Sequence, residues 1–127
     1  MPAEGRSEPG IAADRTAERG TAAGGIAARG RLTDVDAGSV LLLAAAAADE
    51  DGVRPLSEHV MLHLRYGGDP RARNLLLHEG GELAGYAHLD PTDPVEGPSG
   101  ELVVHPRLRR RGFGRKLVDS LVTSAGG

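Results

Sequence analysis

The chain has 127 residues, enough for one domain, and its 39% hydrophobic content supports a single modest core rather than two. Two Tyr, one Phe and no Trp leave that core to Leu, Val and Ala, and the absence of Cys excludes disulfides, thiolate metal sites and a cysteine nucleophile. A formal net charge of −3, with Lys116 the only lysine, argues against a generally basic nucleic-acid binder.

Residues 1–30 are rich in Ala, Gly, Arg and Glu and keep neither a strand nor a helix period, so a disordered leader is expected there. The opening MPAEGRSEPGIAADRTAERG lacks the apolar region of a signal peptide, and the longest apolar run, VLLLAAAAA at 40–48, is too short to cross a bilayer. A cytoplasmic protein without a membrane partner is expected. A helix follows in LTDVDAGSVLLLAAAAADEDG: Thr33 or Asp36 caps it, Val40, Leu43, Ala44 and Ala47 share a face, and Gly52 stops it. A shorter helix begins at the N-cap Ser57, with Leu56 and Met61 placed as a hydrophobic staple, and runs to about Tyr66 before Gly67-Gly68. NLLLHE and ELAGYAHL around Gly80-Gly81 read as a β-hairpin, and the Pro-rich DPTDPVEGPSG reads as a loop outside any ladder. ELVV is then a third strand, and GRKLVDSLVTSA returns to helical spacing through Leu117, Val118 and Leu121. The order helix-helix-strand-strand-strand-helix defines an α/β (α+β) domain over 31–127 with a mainly antiparallel sheet. The third strand is left with an uncovered edge, which points to a fragment or split half of a longer product.

The stretch VVHPRLRRRGFGRKL, residues 103–117, sets six cations around two glycines. A strand that feeds a Gly-rich turn and opens a helix is a device for binding phosphate, because small residues let the backbone approach and free amides point at the anion. The dinucleotide pattern G-x-G-x-x-G fails at Leu117, and no Gly-Lys-Ser/Thr of a P-loop occurs. R-x-x-G-x-G, from Arg109 to Gly114, does fit.

Placed after a strand ending in Val-His-Pro, ELVVHPRLRRRGFGRKLV resembles the acetyl-CoA motif of the GNAT acetyltransferase superfamily. The resemblance implies acetyl-CoA as acetyl donor, a phosphate cradle at Arg110, Arg111, Gly112, Phe113, Gly114 and Arg115, and a pantetheine-facing strand at Leu102, Val103 and Val104. It also implies a GNAT fold that is incomplete here, lacking the C-terminal strands. DGVRPLSEHVMLHLR, GYAHLDP and ELVVHPRLRRRGFG further resemble the N-terminal half of the mycothiol synthase family, tandem GNAT enzymes that acetylate the cysteine amine of desacetylmycothiol. That likeness implies a small-molecule thiol-sugar substrate and a second GNAT half supplied in cis or in trans. The alternatives are a free-standing GNAT enzyme acting on another amine, a non-catalytic cofactor-binding module, and a nucleic-acid-binding loop at Arg107 to Lys116, the last disfavoured by the scarcity of stacking aromatics.

The resemblance marks Glu58 as a substrate-binding carboxylate; at the first turn of a helix it equally serves the helix dipole. Glu101, at the start of the cofactor strand, is the candidate catalytic base, with a solvated strand end as the plain alternative. His59 and His63 are spaced i, i+4 as zinc ligands are, but H-E-x-x-H is absent and no third ligand stands out, so no metal is expected.

Overall fold

Both N-terminal helices open on caps that the sequence supplies. Thr33 accepts a hydrogen bond from the Asp36 amide at 3.0 Å and starts α1, Asp34–Asp51, which ends at Gly52 in the left-handed region with φ 76°. Ser57 accepts from the Val60 amide at 3.3 Å and starts α2, Glu58–Tyr66. Each cap satisfies an amide that has no intrahelical acceptor and contributes about 1 kcal/mol. Val40, Leu43, Ala44 and Ala47 form the buried face of α1, as their spacing predicts.

The computed structural model describes residues 21–22, 25–67, 70–90 and 98–126. Five strands, β1 (Thr21–Ala22), β2 (Ile26–Arg29), β3 (Arg73–Glu79), β4 (Glu82–Asp90) and β5 (Ser99–Val104), form one sheet in chain order, every pair antiparallel. A 3-10 turn at Pro106–Leu108 leads to α3, Phe113–Gly126. Strand alternation divides the core into two layers. Leu76, Tyr86 and Val103 face α1 and α2, while Leu75, Leu77 and Ala87 face Phe113 and Leu117 near the start of α3.

Three expectations are corrected. Ile26–Arg29 falls in the segment read as an unstructured leader, yet it is a strand paired with Asn74–Leu77, and Ile26 and Ala27 are buried. An Ala-rich tetrapeptide carries little strand propensity of its own; its order comes from a partner more than forty residues away. Ser99 and Gly100, read as loop, extend β5 by pairing with Asp90 and Leu89. Val118, grouped with the helix face of Leu117 and Leu121, is exposed. Residues 1–20 of the expected leader and 91–97 of the expected Pro-rich loop lie outside the described residues.

Candidate functional site

The Arg-Gly loop turns sharply between β5 and α3. Gly112 sits at φ 81°, where glycine carries no steric penalty, and Arg110 takes φ 66°, a conformation that costs an L-residue about 1 kcal/mol or more. The first helical bond of α3 runs from the Lys116 amide to the Gly112 carbonyl at 3.1 Å. The amides of Phe113, Gly114 and Arg115 thus precede the ladder and sit at the positive end of the helix dipole. Beside them lies a cleft of about 440 Å³ lined by Leu102, Val103 and Val104 of β5, Arg109 and Arg110 of the loop, Phe113 and Gly114 at the start of α3, Asp51 at the end of α1 and Pro55 in the connection to α2. Six of the nine residues expected to hold a cofactor therefore share one concavity; Arg111, Gly112 and Arg115 complete the turn beside it.

The cations of this segment are not equivalent. Arg109 makes a bidentate pair with Asp51 at 2.8 Å to each oxygen and donates from Nε to the Val104 carbonyl at 3.4 Å, so it fastens the loop to α1. Its hydrogen bonds and charge hold the Asp51 carboxyl below the usual carboxylate range. Arg107 pairs with Glu82 at 2.9 Å, Arg115 approaches Asp119 at 3.5 Å, and Lys116 lies over the Phe113 ring at 5.6 Å. Among the described residues Arg110 and Arg111 have no acidic partner, which leaves their charge for a ligand.

Glu101 is half-buried, and both of its oxygens are engaged: Oε1 accepts from the Ser57 amide at 2.7 Å and Oε2 from the Ser57 hydroxyl at 2.6 Å. The carboxylate thereby braces β5 against the start of α2. Glu58 is the exposed first residue of that helix.

Opposite Glu101 in the ladder stands His88, which is buried. It ends a hydrogen-bonded chain in which Asn74 Nδ2 donates to the Gly30 carbonyl at 3.3 Å, Tyr86 donates to Asn74 Oδ1 at 2.6 Å, and Tyr86 Oη meets His88 Nδ1 at 3.2 Å. Burial, with the charge of Glu101, pushes the Tyr86 phenol up, so it stays protonated. Burial, reinforced by His63, pushes the His88 imidazole down to about 4 and keeps it neutral at pH 7. His59 and His63 come alongside from α2, with the His63 and His88 rings 4.7 Å apart and nearly perpendicular. A lone histidine in a strand context, as His88 is in the sequence, reads as a packing or hydrogen-bonding residue, and its bond to Tyr86 agrees; its place beside His59 and His63, twenty-five residues after the latter, comes only from sheet register.

Residues 41–126 match the profile of the acetyltransferase (GNAT) family. The chain belongs to that family. Its GNAT domain is 61% identical over 99 residues to the mycothiol acetyltransferase of Streptosporangium roseum, a match covering 78% of this chain and 29% of the relative. It is 55% identical over 101 residues to the mycothiol acetyltransferase of Acidothermus cellulolyticus, covering 77% and 31%. The chain thus spans about 30% of the length of these curated relatives. Among solved structures, a GCN5-related N-acetyltransferase from Sphaerobacter thermophilus superimposes with a TM-score of 0.54 at 31% identity, covering 77% of this chain and 31% of that one. The yncA protein of Salmonella typhimurium, solved with its cofactor acetyl-CoA, shares the fold with a TM-score of 0.56 at 19% identity, covering 79% and 62%. No described helix of the GNAT domain is long and apolar enough to cross a membrane.

Proposed function

We propose that this chain is an acetyl-CoA-binding N-acetyltransferase domain of the mycothiol acetyltransferase kind, directed at the cysteine amine of desacetylmycothiol. When bound, acetyl-CoA supplies an acetyl group as a reactive thioester. The backbone of Leu102, Val103 and Val104 lies along the pantetheine arm, while the amides of Gly112 to Arg115 and the side chains of Arg110 and Arg111 hold the pyrophosphate. Glu101 is the candidate base that keeps the substrate amine unprotonated, and Glu58 the candidate acceptor for substrate hydroxyl or ammonium groups. The names of the relatives support the substrate, and their greater length supports a second half acting with this one.

The observation that carries this reading is the room left at Gly114. A Cβ there meets only Val104 Cγ2, at 3.8 Å, so the fold itself does not demand glycine, and alanine would be the better helix former by up to about 1 kcal/mol. A glycine that costs helix stability without a packing reason, at the mouth of a cleft, fits a position where a ligand approaches the backbone. Isothermal titration of acetyl-CoA into the chain and into Gly114→Ala tests it. The expected result is saturable binding by the chain, weakened at least about tenfold in a variant that melts no lower. A folded chain that shows no saturable binding overturns the proposal.

The two hydrogen bonds that Glu101 accepts from Ser57 favour a second reading, a domain that holds the cofactor without turning it over. Acetylation of desacetylmycothiol by the chain and by Glu101→Gln separates the two. Equal rates would remove Glu101 from the chemistry, and binding without turnover would favour the non-catalytic module.

A further inference from the structure

Three histidines from two elements converge on the sheet face that carries α2, and the proposed function gives none of them a role. His59 and His63 sit one turn apart on α2, and His88 rises from β4 beneath them. One ring nitrogen from each lies within 4.8 Å of the others.

The chain of bonds behind His88 fixes its protonation. Asn74 Nδ2 donates to Gly30, so Oδ1 is the acceptor that faces Tyr86. The phenol spends its one hydrogen on Asn74 and is left only able to accept from His88. Nδ1 of His88 therefore carries the proton, and Nε2 presents a bare lone pair. That Nε2 is fully buried and has no hydrogen-bond partner, although an unsatisfied buried polar atom ordinarily costs about 1–3 kcal/mol. His59 is tied in turn by Nε2 to Asp90 Oδ2 at 3.0 Å, the carboxylate–histidine pairing that orients metal-ligating imidazoles.

We infer that His59, His63 and His88 form a binding site for a divalent transition-metal ion of the zinc or cobalt class, with Asp90 and Tyr86 orienting the outer two ligands. Imidazole suits these ions, and a three-histidine set leaves a fourth position for water or an oxygen ligand. Bonds of about 2.0–2.1 Å in tetrahedral geometry place ligand nitrogens about 3.4 Å apart. Reaching that spacing requires the exposed His59 and half-buried His63 side chains to turn toward the buried Nε2 of His88.

The test uses the tag-free chain, titrated with CoCl2 and followed by visible absorption and calorimetry, with ZnCl2 then added to displace the cobalt. The expected result is one equivalent of cobalt with the intense visible bands of a low-coordinate nitrogen site, lost on adding zinc. His63→Ala and His59→Ala, both at side chains that are not fully buried, should each lower affinity at least about tenfold, whereas His78→Ala, at an exposed residue outside the cluster, should bind as the unsubstituted chain does. Circular dichroism confirms that each variant is folded. Absence of stoichiometric binding, or equal binding by folded His63→Ala, overturns the inference. Neither outcome bears on acetyl-CoA affinity, so this site and the proposed cofactor cleft stand or fall separately.

Discussion

Gly85 is one of the residues on which α3 meets the sheet. A Cβ at that position would lie 2.8 Å from Leu117 Cδ1 and 3.2 Å from the Val103 carbonyl, so a methyl there displaces the fully buried Leu117 side chain and crowds the neighbouring strand. Gly85→Ala is expected to lower unfolding free energy by about 1–3 kcal/mol in urea titrations, the usual cost of overpacking. Shortening the facing side chain in Gly85→Ala/Leu117→Ala should recover part of that loss relative to the sum of the single variants, because the two residues are in contact. Additive costs would mean that the clash with Leu117 is not the cause. At this scale the sequence is legible where chemistry is local: Thr33, Ser57 and Gly52 announce their roles through residue type and position. Gly85 and His88 do not, since what each requires is set by a residue across the sheet or on another element.

Between elements, two polar fastenings hold the N-terminal helices against β5 and its loop. Ser57 both caps α2 and grips Glu101, so Ser57→Ala removes a cap and strands a carboxylate. Ser57→Ala, Glu101→Ala and the double variant should give a coupling of about 1 kcal/mol or more by chemical denaturation, as expected for a charged hydrogen-bonded pair. No coupling would reduce the contact to coincidence. The Asp51–Arg109 pair fastens the loop to α1. Because Asp51 titrates lower in the folded chain than its ordinary 3.8, its stabilising effect is full above that value and is lost as pH falls through the lower folded range. The difference in denaturation midpoint between the chain and Asp51→Asn should accordingly be present at pH 7 and shrink below about pH 4. The pair is exposed, so its effect is smaller in high salt. Helices α1, α2 and α3 and strands β3, β4 and β5 were readable as elements because each carries its own period, cap or turn. Strand β2 carries none of these, and α3 turned out to bury Leu117 but not Val118 because strands cover only one side of it.

At the scale of the molecule, the sheet ends on β5, whose outer edge pairs with no strand among the described residues. Leu102 and Val104 are only half-buried on that strand, and an apolar edge with unpaired amides is a ready template for pairing unless something lies against it. The cleft beside this edge continues without a break into the Arg-Gly loop. An extended ligand with a polar amide arm and a diphosphate end matches both halves of that surface, the arm adding to the strand as a peptide would and the diphosphate meeting the helix amides. Such a ligand at a hundred times its dissociation constant should stabilise the chain by about 2.7 kcal/mol and raise its melting temperature by on the order of 10 °C. Hydrogen exchange gives the sharper check. Acetyl-CoA should slow exchange at both 102–104 and 112–115, whereas ADP, which has the diphosphate but no arm, should protect only the loop. If acetyl-CoA protected the loop alone, the strand edge would have no part in holding it, and the cleft would be a phosphate site with a neighbouring hollow rather than one continuous cofactor surface.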